Sequence, residues 1–317
     1  MIFNKNRNGS AEMNRLSGWS YAANTFANIE SDILLATQDL IRLIGRNVYD
    51  RAERYYMSDL YTENGTQTDD LLVCHVQQPI AMAAMLAYYQ GNIVSHEDTG
   101  RKVKIDSENE KIAWEWMYDR DDDAMRRKHY QALDNLYRFL ETERIPEWIS
   151  APQRQEVDTL LVRSVEQFEQ AYPIDHSYRF FYLLVPFIRD AQEIHIRPAL
   201  GSLYDEIVGA EDREVRFAEV LYLVRRAVPL FAVMTAVRRL SVRVLPVGIV
   251  QQCYDSNQVT RGQSVPSEML TRFLNRLKDE AREAMDRLNL FVGKVTDRYK
   301  DYPIVPNNDP RNKYFRT

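Results

Sequence analysis

The chain has 317 residues, 45% of them hydrophobic and 11% aromatic, which is material for two ordinary domains with filled cores and excludes a disordered or fibrous chain. Forty-one basic residues against 46 acidic ones give a formal charge of −5, without the basic excess of a nucleic-acid binder. Cys74 and Cys253 have neither metal nor redox spacing, so a reducing compartment is expected and a disulfide framework is not.

In chain order, residues 1–20 are rich in Asn, Ser and Gly and predict an irregular N-terminal arm with no secretory signal. Residues 21–145 predict a first helical repeat. Its opening helix, 21–57, carries Ile29, Ile33, Ala36, Leu40, Ile44 and Val48 at spacings of three and four, with a break at Gly45. A polar turn at 62–70 leads into a helix over 70–89 with Pro79 inside it. A β-hairpin follows at 92–105, turning at 95–100. The closing helix is expected from an N-cap at Ser107 to residue 143, interrupted near 119–123.

Residues 146–174 form the expected connector: a stiff PEWISAP followed by an amphipathic helix over 153–171 that places Val157, Leu160, Leu161, Val165 and Phe168 on one face. Residues 175–298 predict the second repeat, with a break at Gly201, a helix over 217–240 holding Pro229, a hairpin at 240–251 and a closing helix capped by Ser264 or Ser267. A lone hairpin is marginal in water, so the two are expected to pair with each other or with a neighbouring subunit. Residues 299–317 read as an extended tail, because YPIVPNNDPRNKYFRT can build neither helix nor core. The longest uncharged apolar runs, 79–89 and 227–237, have 11 residues each. A membrane helix needs about 20, so both are expected to be core helices and no membrane partner is expected.

The repetition rests on four blocks. IRLIGRNVYD (41–50) lies over IRPALGSLYD (196–205) at an offset of 155, matching Ile41, Arg42, Tyr49 and Asp50 to Ile196, Arg197, Tyr204 and Asp205. Pro79 and Pro229 are 150 apart, a shared kink or break. The hairpins and the block Ala132-Leu133-Asp134 over Ala284-Met285-Asp286, 152 apart, complete the order. The expected fold is mainly α: two tandem-duplicated helical-bundle domains, each with a small β-hairpin, plus extended N- and C-terminal arms. The eight matched residues read as a structural signature, with Arg197 bridging helices and Tyr204 packing on the preceding one.

No catalytic chemistry is legible. Asp119, Asp121 and Asp123 start like a calcium loop, but Ala124 stands where glycine is required and Tyr130 where the bidentate Glu belongs. His96-Glu97 begins like a zinc-protease helix, with Gly100 in place of the second histidine. His195, beside Glu193 and Arg197, could be an acid–base group, but Leu40 fills the matching place in the first copy, which favours packing. Arg225, Arg226, Arg238 and Arg239 bracket the apolar helix and read as snorkelling side chains or inter-subunit pairs rather than phosphate ligands. No metal, cofactor or catalytic residue is expected, and the protein is not expected to be an enzyme.

IRPALGSLYDEI (196–207), LVRRAVPLFAVMTAVRRLSVRVLPVGIV (223–250), SENEKIAWEWMYDR and HYQALDNLYRFLE (within 107–141) and EWISAPQRQEVDTLLVRSVEQFEQAYPI (147–174) together resemble a family of unassigned function from phages and prophages of Bacteroidota, crAss-like phages included. The resemblance covers about residues 25–295 and departs at both ends and at Pro79 and Pro229, where small residues are commoner. It implies a virion head–tail connector or neck component, located in the virion and, during assembly, in the host cytoplasm. Its implied partners are copies of itself in a ring, twelve-fold if on a portal, and the portal or a neighbouring neck or tail protein. Passing contact with packaged DNA fits the acidic charge, since a basic wall would grip phosphates. A tail-completion protein or an assembly chaperone is the alternative. In the connector reading the tail docks on a partner through Tyr302, Pro303, Ile304, Pro306, Tyr314 and Phe315.

Overall fold

The computed structural model describes residues 1–18, 25–97, 100–102, 114–240, 242–245, 248–251 and 267–299. These fall into two compact units. The first comprises Met1–Thr159, Ile174–Val185 and Gln251–Val265; the second comprises Leu160–Pro173, Pro186–Val250 and Pro266–Thr317. The mainly helical character expected from the sequence is what the structure shows.

In the first unit, α1 (Gly9–Ser17) is followed by α2 (Glu30–Ile44), whose buried Ile33, Thr37, Leu40 and Ile44 form one stripe at helical spacing. Gly45 ends it with φ 86° and ψ 151°, a backbone only glycine adopts freely, and α3 (Arg46–Met57) starts at the next residue. The central element is α4 (Thr68–Gly91), which packs along α2, α3 and α5 (Glu115–Thr142). Leu72, Val73, Val76, Ile80, Ala81, Ala84 and Met85 bury it on nearly every side. Asp69 and Asp70 occupy its first turn, where the helix dipole favours acids. Pro79 lies inside a continuous helix, so the alternative of a break there is excluded; His129 of α5 meets the Pro79 carbonyl through Nδ1 at 2.9 Å. Two short helices, α6 (Pro146–Ile149) and α7 (Pro152–Asp158), each opened by a proline, seat the fully buried Trp148.

In the second unit the chain runs through α8 (Val165–Glu169), α9 (Tyr178–Ala191, shared with the first unit up to Val185), a π-helical turn (Gln192–Ile196) and α10 (Arg197–Leu200). Gly201, at φ 55° and ψ −128°, separates α10 from α11 (Ser202–Gly209). After α12 (Arg213–Arg216), α13 (Ala218–Leu240) holds the core with Val224, Ala227, Val228 and Ala232 fully buried. It packs along α14 (Ser267–Tyr299), as α4 does along α5. Pro229 again lies within the helix. By length and hydropathy α4 and α13 could each cross a membrane, but 56% and 72% of their apolar windows are buried inside the protein. They are core helices.

Four expectations need correction. Residues 1–18 are not an irregular arm: Ile2, Phe3 and Met13 are buried, the Gln77 side chain donates to the Ile2 carbonyl at 2.7 Å, and Glu12 accepts from the Asn4 amide and the Tyr56 hydroxyl. The polar residues that read as loop are those that satisfy this segment's backbone. The helix expected over 153–171 is broken between α7 and α8, because the Leu161 amide is taken by Gln192 (2.8 Å) and the Leu160 carbonyl by Arg213 (3.3 Å). Ser164 then caps α8 by accepting from the Gln167 amide. Helix α5 runs uninterrupted through 119–123 and starts after Trp114, which is extended (φ −75°, ψ 152°); the cap expected at Ser107 lies outside the described residues. Strand content is slight: Ser95–Glu97 pairs antiparallel with Gly100–Lys102, and Val242–Leu245 neighbours Gly248–Gln251 in a separate ladder. The hairpins expected at 92–105 and 240–251 are thus not substantial β elements, and they do not pair with each other.

Candidate functional site

The eight signature residues divide between core and surface. Tyr49 and Tyr204 are buried and Ile196 fully so, whereas Ile41 is only partly buried against the core. Arg42 is exposed and pairs with Asp39, while Asp50 pairs with Arg46; no bridge joins Arg42 to Asp50. In the second copy Arg197 pairs with Glu193 at 2.9 Å and reaches Asp205 at 3.7 Å. The Tyr204 hydroxyl donates to Glu193 (2.9 Å) and accepts from the buried Gln192 (2.6 Å), whose oxygen holds the Leu161 amide. Hydrogen bonds from Arg197 and Tyr204 keep Glu193 below the usual carboxylate range. This cluster is a fastener. Every polar atom named in it meets another protein group, and it holds the turn before Gly201 to the segment at Leu161. The Tyr302, Pro303, Ile304, Pro306, Tyr314 and Phe315 docking set lies outside the described residues.

The π-turn explains the offset between the copies. Buried Ile33 and Thr37 match buried Ile188 and Gln192 at an offset of 155, but Leu40, Ile44 and Gly45 match Ile196, Leu200 and Gly201 at 156. A π-turn is a helix with one residue inserted. The insertion falls between Gln192 and Ile196, so His195 does not correspond to Leu40 and the pairing of Ile41 with Ile196 is one residue out. His195 stacks on Phe231, ring centroids 3.9 Å apart, and burial lowers its pKa. Packing is its role here.

Two further hubs escaped the sequence. In the first unit Glu141 accepts from Trp148 Nε1 (3.0 Å), from the Tyr182 hydroxyl and from Arg154 (2.9 Å), inside an aromatic box where Tyr137 stacks on Tyr182 at 4.7 Å. In the second, Glu214 pairs with Arg225 (2.6 Å) and Arg163 (3.3 Å); burial pushes its pKa up, but the two guanidiniums outweigh that and bring it down. Arg226 donates to the Gln170 carbonyl and Arg239 to Asp190, so these two arginines flanking α13 have partners within the chain. The Glu193–Arg197 spacing of four was a readable signal. Glu141 gave none, because its partners lie 7, 13 and 41 residues away.

Asp119, Asp121 and Asp123 sit in continuous helix and cannot fold round an ion as a calcium loop does. The backbone at His96 is paired strand, not the helix a zinc-protease motif requires. Among the described residues no three His, Cys, Asp or Glu side chains converge on a metal position. A groove of about 190 Å³ beside α13 and α14 is lined by Leu223, Leu230 and Ala284 together with Arg226, Arg287 and the carboxylates of Glu280 and Glu283.

No curated protein and no solved structure matches the chain. A family of unknown function, DUF6712, matches it twice, over residues 40–157 and 196–312. Both matches begin at the paired positions Leu40 and Ile196, at the offset the buried residues give. The first takes in α6 and α7, placed in a connector by the sequence, and the second extends over Tyr302, Pro303, Ile304 and Pro306, placed in a tail. The chain belongs to the DUF6712 family and carries the family's region in two successive parts.

Proposed function

We propose that the protein is a non-enzymatic structural component of a phage virion, a head–tail connector or neck adaptor that assembles as a ring on a portal or an adjacent ring. The observation that carries the non-catalytic part is the fate of the polar side chains. Gln192, Glu193, Tyr204, Glu141 and Glu214 each fasten one element to another, in a helical body that repeats one module. The virion part rests on the resemblance described above. In this reading the short strand pairs and residues 302–317 are offered to neighbouring subunits, with Tyr314 and Phe315, which lie beyond the second family match, as the docking tips.

Mass spectrometry of purified particles tests it. The protein is expected in mature virions at ring stoichiometry, with density at the neck. Presence in assembly intermediates but absence from mature particles would instead make it a chaperone. Tyr314→Ala with Phe315→Ala is expected to leave folding intact and abolish incorporation; normal incorporation would refute the docking role.

A further inference from the structure

Long helices α5 and α14 are the same element of the two copies. At an offset of 152, buried Leu136 and Leu140 match buried Leu288 and Val292, so the opposite sides of the two helices correspond as well. On α5 that opposite side carries Tyr137 and Glu141, and it is covered. Tyr137 is 2% exposed, its ring centroid 5.6 Å from that of Trp148, and Glu141 accepts from Trp148 Nε1 at 3.0 Å. On α14 it carries Asn289, Leu290 and Gly293, and among the described residues it is open. Asn289 is exposed, Leu290 is 62% exposed, and a Cβ built on Gly293 meets nothing within 4 Å. Glycine weakens a helix interior, and it is the residue that lets another group lie against the backbone.

In the first unit the cover comes from the chain just beyond the helix: α5 ends at Thr142 and Trp148 follows six residues later. In the second, α14 ends at Tyr299 and Tyr302 follows three residues later. EWISAP (147–152) set over DYPIVP (301–306), at an offset of 154, puts acid on acid, aromatic ring on aromatic ring and proline on proline. The two family matches end at 157 and 312, which are 155 apart, so 301–306 falls inside the second family region as 147–152 falls inside the first. The connection is long enough. Six helical residues separate Gly293 from Tyr299, about 9 Å, and three extended residues span about 10 Å.

We propose that residues 301–306 return onto the chain's own α14, with the Tyr302 ring against Gly293 beside Asn289 and Leu290, in the place that Trp148 takes in the first unit. The exchange of residue types fits the exchange of partners. Gly293 stands where Glu141 stands, so the carboxylate that a buried indole N–H needs is gone, whereas a phenol can donate or accept and the Asn289 amide can meet it either way. This seat divides the C-terminal stretch: 301–306 completes the second unit, and the arm left to reach a neighbour is 307–317, with Tyr314 and Phe315 near its end. It is set by the repeat and not by the virion role, and it is measured on the isolated protein, so the seat and the virion reading can each fail alone.

Hydrogen exchange of full-length protein, read by mass spectrometry over residues 286–293, tests the seat. In Tyr302→Ala these amides are expected to exchange about tenfold faster, and in a chain ending at Pro306 at the wild-type rate. Gly293→Arg separates a filled seat from an empty one by sign. Arginine is the better helix former, so on a bare helix it slows exchange, whereas in a filled seat it displaces Tyr302 and speeds it. Far-UV circular dichroism is expected to stay unchanged in all three, and the wild-type rates to be the same at low and high protein concentration. Wild-type exchange in Tyr302→Ala, slower exchange in Gly293→Arg, or faster exchange in the chain ending at Pro306 would overturn the proposal. Protection that grows with protein concentration would also overturn it, by placing the segment on a second copy.

Discussion

Replacing Gly45 with alanine isolates backbone strain from steric clash. At φ 86° and ψ 151° the residue occupies a region close to the one reserved for glycine, where a side chain costs about 1–3 kcal/mol. An added Cβ would meet Ala151 Cβ at 3.5 Å and Gln153 Oε1 at 3.7 Å, ordinary contacts, so the cost is conformational. Alanine also restricts the unfolded chain, which offsets about 0.4–1 kcal/mol and leaves a net loss of up to about 2.6 kcal/mol. With a urea slope of about 2 kcal/mol/M, the midpoint falls by up to about 1.3 M. All four tryptophans, Trp19, Trp114, Trp116 and Trp148, belong to the first unit, so their fluorescence follows this unit's transition. Gly91 is the matched control: it has an ordinary φ and nothing within 4 Å of an added Cβ, and Gly91→Ala is expected to stabilise by about 0.4–1 kcal/mol. A Gly45→Ala midpoint equal to or above that of Gly91→Ala would show that the turn carries no strain, and the account of the α2–α3 junction would fail.

Trp148→Ala removes a fully buried ring and a donor to Glu141, with an expected loss of about 3–5 kcal/mol. Trp148→Phe keeps much of the volume but takes away the donor, with a loss of about 1–3 kcal/mol, both read by thermal shift. Gln192→Leu orphans the Leu161 amide and is expected to cost about 1–3 kcal/mol, whereas Arg42→Ala, cutting one exposed pair, should stay within about 0.5 kcal/mol; chemical denaturation followed by circular dichroism separates them. His75 and His129 are both held below the ordinary histidine pKa, chiefly by burial. The unfolded chain therefore binds more protons than the native one below the ordinary histidine value near 6.5. Their contribution is complete above that value and is lost as pH falls from there toward the folded pKa values. Stability measured at pH 7 and pH 5 should drop, and His75→Phe, whose ring can stack on Phe139 in its place, should shrink the drop. An unchanged slope would assign the effect elsewhere.

Period and composition made the long helices legible. The stripe from Ile29 to Val48, the break at Gly45 and the proline-bearing α4 and α13 are all set by local chemistry. What stayed illegible depends on partners distant in the chain. Pattern favoured helix through Leu160 and Leu161, but Gln192 and Arg213 capture their backbone from 31 and 53 residues away. Asn4, Lys5 and Glu12 looked like loop residues because their hydrogen bonds go to one another and to Tyr56, which no spacing announces. The extra residue near His195 was masked by chance identities, Ile41 with Ile196 and Arg42 with Arg197, that hold only in the shifted register.

That inserted residue decides where the two halves could be exchanged. Each residue turns a helix by about 100°, so a graft joined upstream of the wide turn by simple residue count would rotate Ile188 and Gln192 away from the side that Ile196 and Leu200 share. Cut instead at Gly45 and Gly201, where both copies start a new helix, a chimera inherits each segment with its own phase. Those two glycines are the natural seams for recombining this protein.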